Sequence, residues 1–288
     1  MTLYINPDHI VWGAFDALEP SRPEWTEQFA YWDDYVEKFF RSNGLPFSPG
    51  DSNVENWLMA PDRAPFAEMV RQLLPRLSER ADLSGTEAIL FAHWLPDLHM
   101  GTSVTNFAMH QLALTSCFGF AISDRGLSAP FFAFDTLHKY LTAKNCPGLL
   151  LIADQKHLLY KSRVVDSLAP RNAATAVRLD PGNTAGFAYR GYRRVALEDG
   201  ADGGADLLIA ELALHFGLDA DRLTVIGPDA LIGECGLLGV EVIRTDATLV
   251  CSAPFAAFAD NADLSRDWLL LCRDDRHATA LAFGGRRG

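Results

Sequence analysis

The stretch Phe120–Leu141, FAISDRGLSAPFFAFDTLHKYL, has the layout in which many acyl-transfer enzymes present a nucleophile. A strand-like apolar run over 118–122 leads into the polar turn Ser123–Gly126, after which a helical pattern begins. A nucleophile at such a bend lies at a helix N-terminus, where backbone N–H groups and the helix dipole favour a negative charge. No cysteine occupies the bend. We therefore interpret the turn either as an active site with another nucleophile or as the position of a lost one.

Ser128, at the start of the predicted helix, is the candidate nucleophile. A catalytic serine needs a general base, and the candidate bases are His110, His138 and His157. His138 lies ten residues along the same helix, about 15 Å away by helical rise, and would not reach Ser128. The competing interpretation makes Ser128 an N-cap residue. Cys117 precedes the strand and is interpreted as a structural thiol that points away from the bend.

A second group of polar residues follows the next predicted strand upstream. His93, Asp97 and His99, in HWLPDLH, are residue types that bind metals. Polar loop residues are the simpler interpretation, and we predict no metal site. The chain also contains neither a GxGxxG motif nor a P-loop, so we expect no nucleotide cofactor and no other cofactor.

The N-terminal region up to about residue 80 is aromatic and irregular. A helix is predicted over 21–42, with Ser21 as a possible N-cap, and another over 64–80, ending or kinking near Pro75. The apolar face of the first helix is interpreted as core or subunit contact, and it comprises Phe29, Trp32, Tyr35, Phe39 and Phe40.

Strands then alternate with helices, and apolar runs between helices indicate a sheet covered on both faces. A Gly/Asp-rich linker, Asp199–Asp206, separates two similar series of predicted strands and helices, which suggests an internal duplication. The predicted strands are 86–94, 117–123, 147–154, 172–180, 185–198, 222–227, 239–244, 267–274 and 279–284, and the predicted helices are 103–114, 129–145, 207–217 and 252–261. The strands 172–180 and 185–198 alternate in the manner of antiparallel strands.

Composition narrows the classes of function. The 288 residues are 49% hydrophobic, as expected of a folded protein, and no apolar run is long enough to span a bilayer. Five widely spaced cysteines argue against a disulfide framework. A formal charge of −12 disfavours nucleic acid, anionic membranes and a broad docking surface for an acidic carrier protein. The opening residues do not resemble a signal peptide, so we expect a cytoplasmic protein.

From about residue 64 to 283, the order of elements resembles the thiolase fold, and more specifically β-ketoacyl-acyl-carrier-protein synthase III enzymes. The resemblance implies an α/β, five-layered αβαβα fold of two pseudo-repeated halves in a single compact unit. An N-terminal half over 1–198, with the aromatic extension, would precede a shortened C-terminal half over 199–288. The segments that carry the resemblance are EAILFAH, CFGFAISDRGLSAPF, LLLIADQ, APRNAATAVRLD, LDADRLTVIGPDALI, VIRTDATLVCSAP and DWLLLCRDDRHATALAF.

The resemblance also assigns positions to the family's Cys-His-Asn triad. The cysteine falls on Gly126, or on Ser128 with a shift of two residues. The histidine falls on or near Pro228, and the asparagine on Ala247 or its neighbour Asp246. The family's glycine-rich closing hairpin here reads CRDDR. Losses at every catalytic position together predict that little chemistry remains.

Three hypotheses about function follow. The first is a degenerate ketosynthase-like subunit in fatty-acyl, polyketide or other secondary-metabolite biosynthesis, which pairs with itself or with an active ketosynthase partner and shapes its acyl pocket, as chain-length-factor subunits do. The second is a divergent acyltransferase that uses Ser128 on acyl-carrier or acyl-CoA thioesters. The third is a binding protein for an acyl or aromatic ligand, with the N-terminal region as a lid.

Overall fold

Two mixed β-sheets and their helices form the protein, for which a computed structural model describes residues 2–197, 204–233 and 235–286. The helices are α1 Phe29–Ser42, α2 Val54–Met59, α3 Phe66–Ser78, α4 Val104–Gln111, α5 Ala129–Lys144, α6 Arg163–Leu168, α7 Gly204–Phe216, α8 Asp229–Ile232 and α9 Ala253–Asn261. The strands are β1 Tyr4–Ile5, β2 Ile10–Phe15, β3 Ala88–Ala92, β4 Phe118–Ile122, β5 Gly148–Asp154, β6 Asn172–Leu179, β7 Phe187–Ala196, β8 Leu223–Gly227, β9 Glu241–Arg244, β10 Asp267–Asp274 and β11 His277–Gly284.

The two sheets repeat one topology. The first has the order β2-β6-β5-β3-β4, and the second has β1-β7-β11-β10-β8-β9. Strand β2 is antiparallel to β6 in the first sheet, and β7 is antiparallel to β11 in the second. At the other end of each sheet three strands run parallel to one another, which are β5, β3 and β4 in the first sheet and β10, β8 and β9 in the second. These parallel strands are joined to the rest of their sheet by antiparallel pairs. This repeat is the structural form of the internal duplication that the sequence suggested. Strand β7 hydrogen-bonds in the second sheet, although it precedes the Gly/Asp-rich segment, and the division of the chain at 198/199 remains a prediction.

Helices α5 and α9 lie between the sheets. Phe131 and Phe134 of α5 contact Phe255 of α9, with ring centroids 6.0 and 6.1 Å apart. The same core cluster contains buried residues of both sheets, such as Leu150 and Leu281. Helices α3 and α4 cover the outer face of the first sheet, and α7 and α8 that of the second. Strands β3, β5, β6 and β8 are therefore buried throughout, as a sheet covered on both faces requires. Strand β4, although apolar, is largely exposed.

The predicted boundaries and pairings of several elements differ from the structure. Helix α3 does not end near Pro75 but continues to Ser78; Pro75 is exposed, so the carbonyl group that loses its intrahelical partner faces water. The strands predicted over 172–180 and 185–198 belong to different sheets, and β6 does not alternate because it is buried throughout. Strands β1 and β2 and helices α2, α6 and α8 are not among the predicted elements.

The N-terminal region packs on the sheet layers through its own small core. Helix α1 begins at Phe29, after a 3₁₀ turn over Pro23–Gln28. Only Val36 of α1 is buried, so most of the predicted apolar face is exposed or half-buried. Arg63 anchors the region: its buried guanidinium pairs with Glu19 at 2.7 Å and donates to backbone carbonyls of α2.

Candidate active site

The predicted nucleophile turn is present, but the position assigned to the nucleophile is filled. Gly126 opens a 3₁₀ turn, Gly126–Ser128, that leads directly into α5. Its φ is +56°, in the left-handed region that glycine adopts without strain. A Cβ atom here would lie 2.5 Å from Oδ1 of Asp274, at the end of β10. A cysteine at this position would therefore need a strained backbone and a displacement of the Asp274 carboxylate.

Ser128 is buried, with 2% of its surface exposed. Its hydroxyl donates to the carbonyl oxygen of Arg125 at 2.7 Å and lies 3.4 Å from Oδ2 of Asp274. It occupies the residue before α5, as an N-cap would, but makes no side-chain capping hydrogen bond. The hydroxyl group is thus held inside the turn, and its assignment as a nucleophile remains a hypothesis.

None of the three candidate bases hydrogen-bonds to Ser128. His110 is exposed on α4. His138 packs on Tyr189 with ring centroids 4.7 Å apart, and burial lowers its pKa. His157 binds Asp62 through Nε2 at 2.7 Å and accepts from the Asn56 amide at Nδ1. Both ring nitrogens of His157 are therefore occupied.

The hydrogen bond between His157 and Asp62 predicts a pH dependence of stability. Burial lowers the pKa of His157 below its usual 6.5, although Asp62 opposes the shift. Burial raises the pKa of Asp62, but hydrogen bonds from Lys156 and His157 outweigh it, so that the pKa lies below 3.8. As the pH falls through 6.5, the unfolded chain binds a proton at His157 first, and stability decreases. Asp62 adds a loss of the same sign below about pH 4.

Thermal unfolding of wild type and of His157→Gln between pH 7.5 and 5.5 checks this expectation. The glutamine retains polar atoms but does not titrate, so the fall in melting temperature should be steeper in wild type. His110→Gln, which changes an exposed histidine, should retain the wild-type slope. Parallel profiles for wild type and His157→Gln would contradict the assignment.

The remaining triad positions lack side chains that could replace histidine or asparagine. Pro228 precedes α8, and its carbonyl oxygen accepts from the backbone N–H of Leu231 at 2.8 Å. Ala247 is exposed and opens a 3₁₀ turn, Ala247–Ser252. Asp246 accepts hydrogen bonds from the backbone and hydroxyl of Thr248. Proline and alanine offer no side-chain donor to an oxyanion.

Asp154, which ends β5, organises this end of the molecule. The carboxylate is fully buried; Oδ1 accepts from the backbone N–H groups of Trp94 and Leu95 at 2.9 and 2.7 Å. Oδ2 accepts from the N–H of Cys251 at 3.2 Å. Burial raises the pKa of Asp154, and these hydrogen bonds oppose the shift. One side chain thus joins the loop after β3 to the Ala247–Ser252 turn. This role was not predicted from the sequence, although an acidic residue at the end of an apolar strand is a signal that could have indicated it.

The cysteines near the turn are not activated. Cys251 is fully buried, and burial followed by the nearby Asp154 carboxylate raises its thiol pKa well above the usual value. Burial likewise raises the pKa of Cys272, and it raises that of Cys117 to about 11. These thiols are protonated at neutral pH and are poor nucleophiles. Val250, next to Cys251, has a φ of +51°, a strained value for a β-branched residue.

The start of α5 is repeated at the start of α9. The sequence Ser128-Ala-Pro-Phe begins the first helix, and Ser252-Ala-Pro-Phe begins the second. Both serines are buried and occupy the residue before the helix, and no described residue hydrogen-bonds to the Ser252 hydroxyl. The repeat could have been found in the sequence. It indicates that the serine belongs to a duplicated helix start, which weakens its assignment as a nucleophile.

His93, Asp97 and His99 make separate interactions. His93 Nδ1 donates to the Leu95 carbonyl oxygen, Asp97 accepts from two backbone N–H groups, and His99 pairs with Glu19. Over the described residues, no group of three His, Cys, Asp or Glu side chains is arranged to hold a metal ion. No helix in the same part of the chain is long and apolar enough to cross a membrane.

A double-mutant cycle tests whether Asp274 fills the nucleophile position. Gly126→Cys should destabilise the protein by about 2–4 kcal/mol, because it combines a left-handed backbone with the clash. In an Asp274→Gly background the same change should cost only about 1 kcal/mol, the backbone contribution. Chemical denaturation of the four proteins measures the coupling. Equal costs in the two backgrounds would show that Asp274 does not occupy this space.

Comparisons with known proteins agree with the geometry of the fold. The chain matches no family model and no curated protein sequence. It is similar to the solved structure of AbyA1, a tetronic acid condensing enzyme, with a TM-score of 0.65 and 12% identity over 99% of this chain and 100% of that one. It is also similar to 3-oxoacyl-(acyl carrier protein) synthase III, FabH, from Pseudomonas aeruginosa PAO1, with a TM-score of 0.65 and 12% identity over 100% of this chain and 99% of that one. A variant of OleA from Xanthomonas campestris matches with a TM-score of 0.63 at 9% identity, over 99% of this chain and 98% of that one.

These neighbours are thiolase-fold condensing enzymes, and the chain has the thiolase fold. The α/β class and the fold that the sequence resemblance implies are therefore confirmed. At these identities the likeness concerns the fold alone.

Proposed function

We propose that this protein is a thiolase-fold subunit without condensing activity, which acts by pairing with a ketosynthase-like partner or with itself. The observation that carries the proposal is the Asp274 carboxylate in the space that a side chain at position 126 would need. Pro228 and Ala247 support it, because neither replaces the donors of the family triad. The pathway class is fatty-acyl, polyketide or other secondary-metabolite biosynthesis, and we expect the protein to act in the cytoplasm.

A pairing surface is available at the edge of the first sheet. Strand β4 is the last strand of that sheet, so one side of its backbone has no strand partner among the described residues. Phe118 and Phe120 are 39% and 42% exposed and stack on each other, and Phe118 also contacts Tyr140. An open edge with exposed aromatic rings is a typical site for association. We infer that a second thiolase-fold chain docks here and that this chain supports the partner's acyl pocket.

Co-expression with a ketosynthase encoded beside this gene tests the proposal. We expect the two chains to co-purify, and condensation on acyl-carrier or acyl-CoA thioesters to depend on this chain while the partner carries the acyl group. A homodimer that condenses substrates alone would contradict the proposal. A partner whose activity is unchanged by this chain would contradict the pairing role.

The alternative is a divergent acyltransferase with Ser128 as nucleophile. One observation favours it: Oδ2 of Asp274, a carboxylate oxygen that can act as a base, lies 3.4 Å from the Ser128 hydroxyl. Ser128→Ala should then abolish acyl transfer, whereas Ser252→Ala, at the duplicated helix start, should not. Unchanged transfer by Ser128→Ala would exclude this role.

A further inference from the structure

A cavity of about 240 Å³ lies between helix α1 and the carboxyl ends of β3 and β4. Tyr35, Val36 and Phe39 of α1 line it, as does Ser123, the residue after β4. We call it the α1 cavity. An apolar cavity of about 150 Å³ is sufficient for benzene, so a single substituted ring fits. The residues Gly126–Ser128 are not part of its wall.

The wall of the α1 cavity is mainly aromatic. Tyr35, Phe39, Trp94 and Tyr160 contribute rings, and Phe39 and Tyr160 stack with centroids 5.7 Å apart. Aromatic rings attract a further ring through edge-to-face and offset-stacked contacts, in addition to the area that they bury. These walls favour a planar ring over a flexible chain, because a rigid ring loses less conformational freedom on binding.

His93 supplies a polar side chain to the wall of the α1 cavity. Its Nδ1 lies 2.7 Å from the Leu95 carbonyl oxygen, which can only accept, so Nδ1 carries the proton. In the neutral ring Nε2 is then an acceptor, and it makes no hydrogen bond to another described residue. The ring is held by stacking on Phe91 with centroids 5.1 Å apart. A ligand in the cavity that carries an O–H donor would complete this site.

We infer that the α1 cavity binds a monocyclic aromatic compound with a hydroxyl group, whose ring packs under α1 and whose O–H donates to Nε2 of His93. This assignment does not depend on the proposed pairing role, since it needs neither a partner nor acyl chemistry. In this assignment the exposed aromatic side chains of α1 cover the bound ligand.

Ligand-observed ¹⁹F NMR with the full chain tests the inference, using 4-fluorophenol, fluorobenzene and 6,6,6-trifluorohexanoate as probes. The phenol should bind about tenfold more tightly than fluorobenzene, which corresponds to about 1.4 kcal/mol for one hydrogen bond. His93→Phe, which keeps the stacking on Phe91, should remove that difference. Tyr35→Ala should weaken both aromatic probes. His110→Phe and Tyr31→Ala, at exposed positions outside the cavity, are the matched controls.

Equal affinities of wild type for the phenol and fluorobenzene, no binding of either, or tighter binding of trifluorohexanoate would overturn the inference. So would an unchanged phenol affinity in a folded His93→Phe variant. If His93→Phe does not fold, Tyr35→Ala decides the matter, because unchanged binding by that variant excludes the α1 cavity.

Discussion

Replacing Asp154 by alanine is expected to destabilise the protein by about 3–5 kcal/mol, among the largest effects of any single substitution. The change leaves three backbone N–H groups, those of Trp94, Leu95 and Cys251, without their acceptor around a fully buried carboxylate. Each orphaned donor costs about 1–3 kcal/mol, and the relief of carboxylate burial offsets part of the sum. Equilibrium denaturation in urea measures the loss.

Two variants sharpen that experiment. Asp154→Asn keeps one oxygen acceptor and should lose about half as much stability as the alanine variant. Asp124→Ala removes a carboxylate that is 77% exposed in the neighbouring turn and should change stability by less than about 0.5 kcal/mol. If Asp154→Ala were as stable as Asp124→Ala, Asp154 would not hold the two loops together.

Placing charges on strand β4 is expected to abolish self-association or partner association. In the double variant Phe118→Asp/Phe120→Asp, two exposed aromatic side chains are replaced by carboxylates that an interface would have to desolvate. The lost burial is about 1.5–3 kcal/mol for each ring, and the dissociation constant should rise by more than about a hundredfold. Sedimentation equilibrium of this chain, alone and with its partner, gives the constant.

The control for the β4 experiment is Tyr31→Asp, on α1. Tyr31 is 65% exposed, so the substitution changes a surface aromatic residue elsewhere and should leave association unchanged. Equal weakening by both variants would indicate a nonspecific effect of charge. Association that survives the β4 change would move the interface to another surface.

The sequence was sufficient for the elements whose patterns are strong. The apolar run LLLIAD and the long helix before it are found where they were predicted, because a strand buried on both faces needs a continuous apolar sequence. Strand β2 was missed, since its sequence, IVWGAF, is short and lies in an irregular aromatic region. The assignment of β6 and β7 to different sheets depends on long-range pairing, which local alternation does not encode.

The sequence predicted the position of the candidate site better than the contacts that its residues make. The turn around Gly126 lies where the resemblance placed it, because strand, turn and helix are local features. That Asp274 fills the space beside Gly126 could not be predicted, since the two residues are distant in sequence and meet only through the packing of β10 against the turn. The role of Asp154 also depends on two loops from distant parts of the chain.

The central claim is that the fold is retained without acyl-transfer chemistry of its own. The most direct measurement is the intact mass of the wild-type protein after incubation with acyl-CoA and acyl-carrier thioesters. We expect an unmodified mass with every donor, because Ser128 is buried and the thiols of Cys251 and Cys117 are protonated. A stoichiometric acyl adduct that maps to Ser128, or to Cys117 or Cys251, would contradict it.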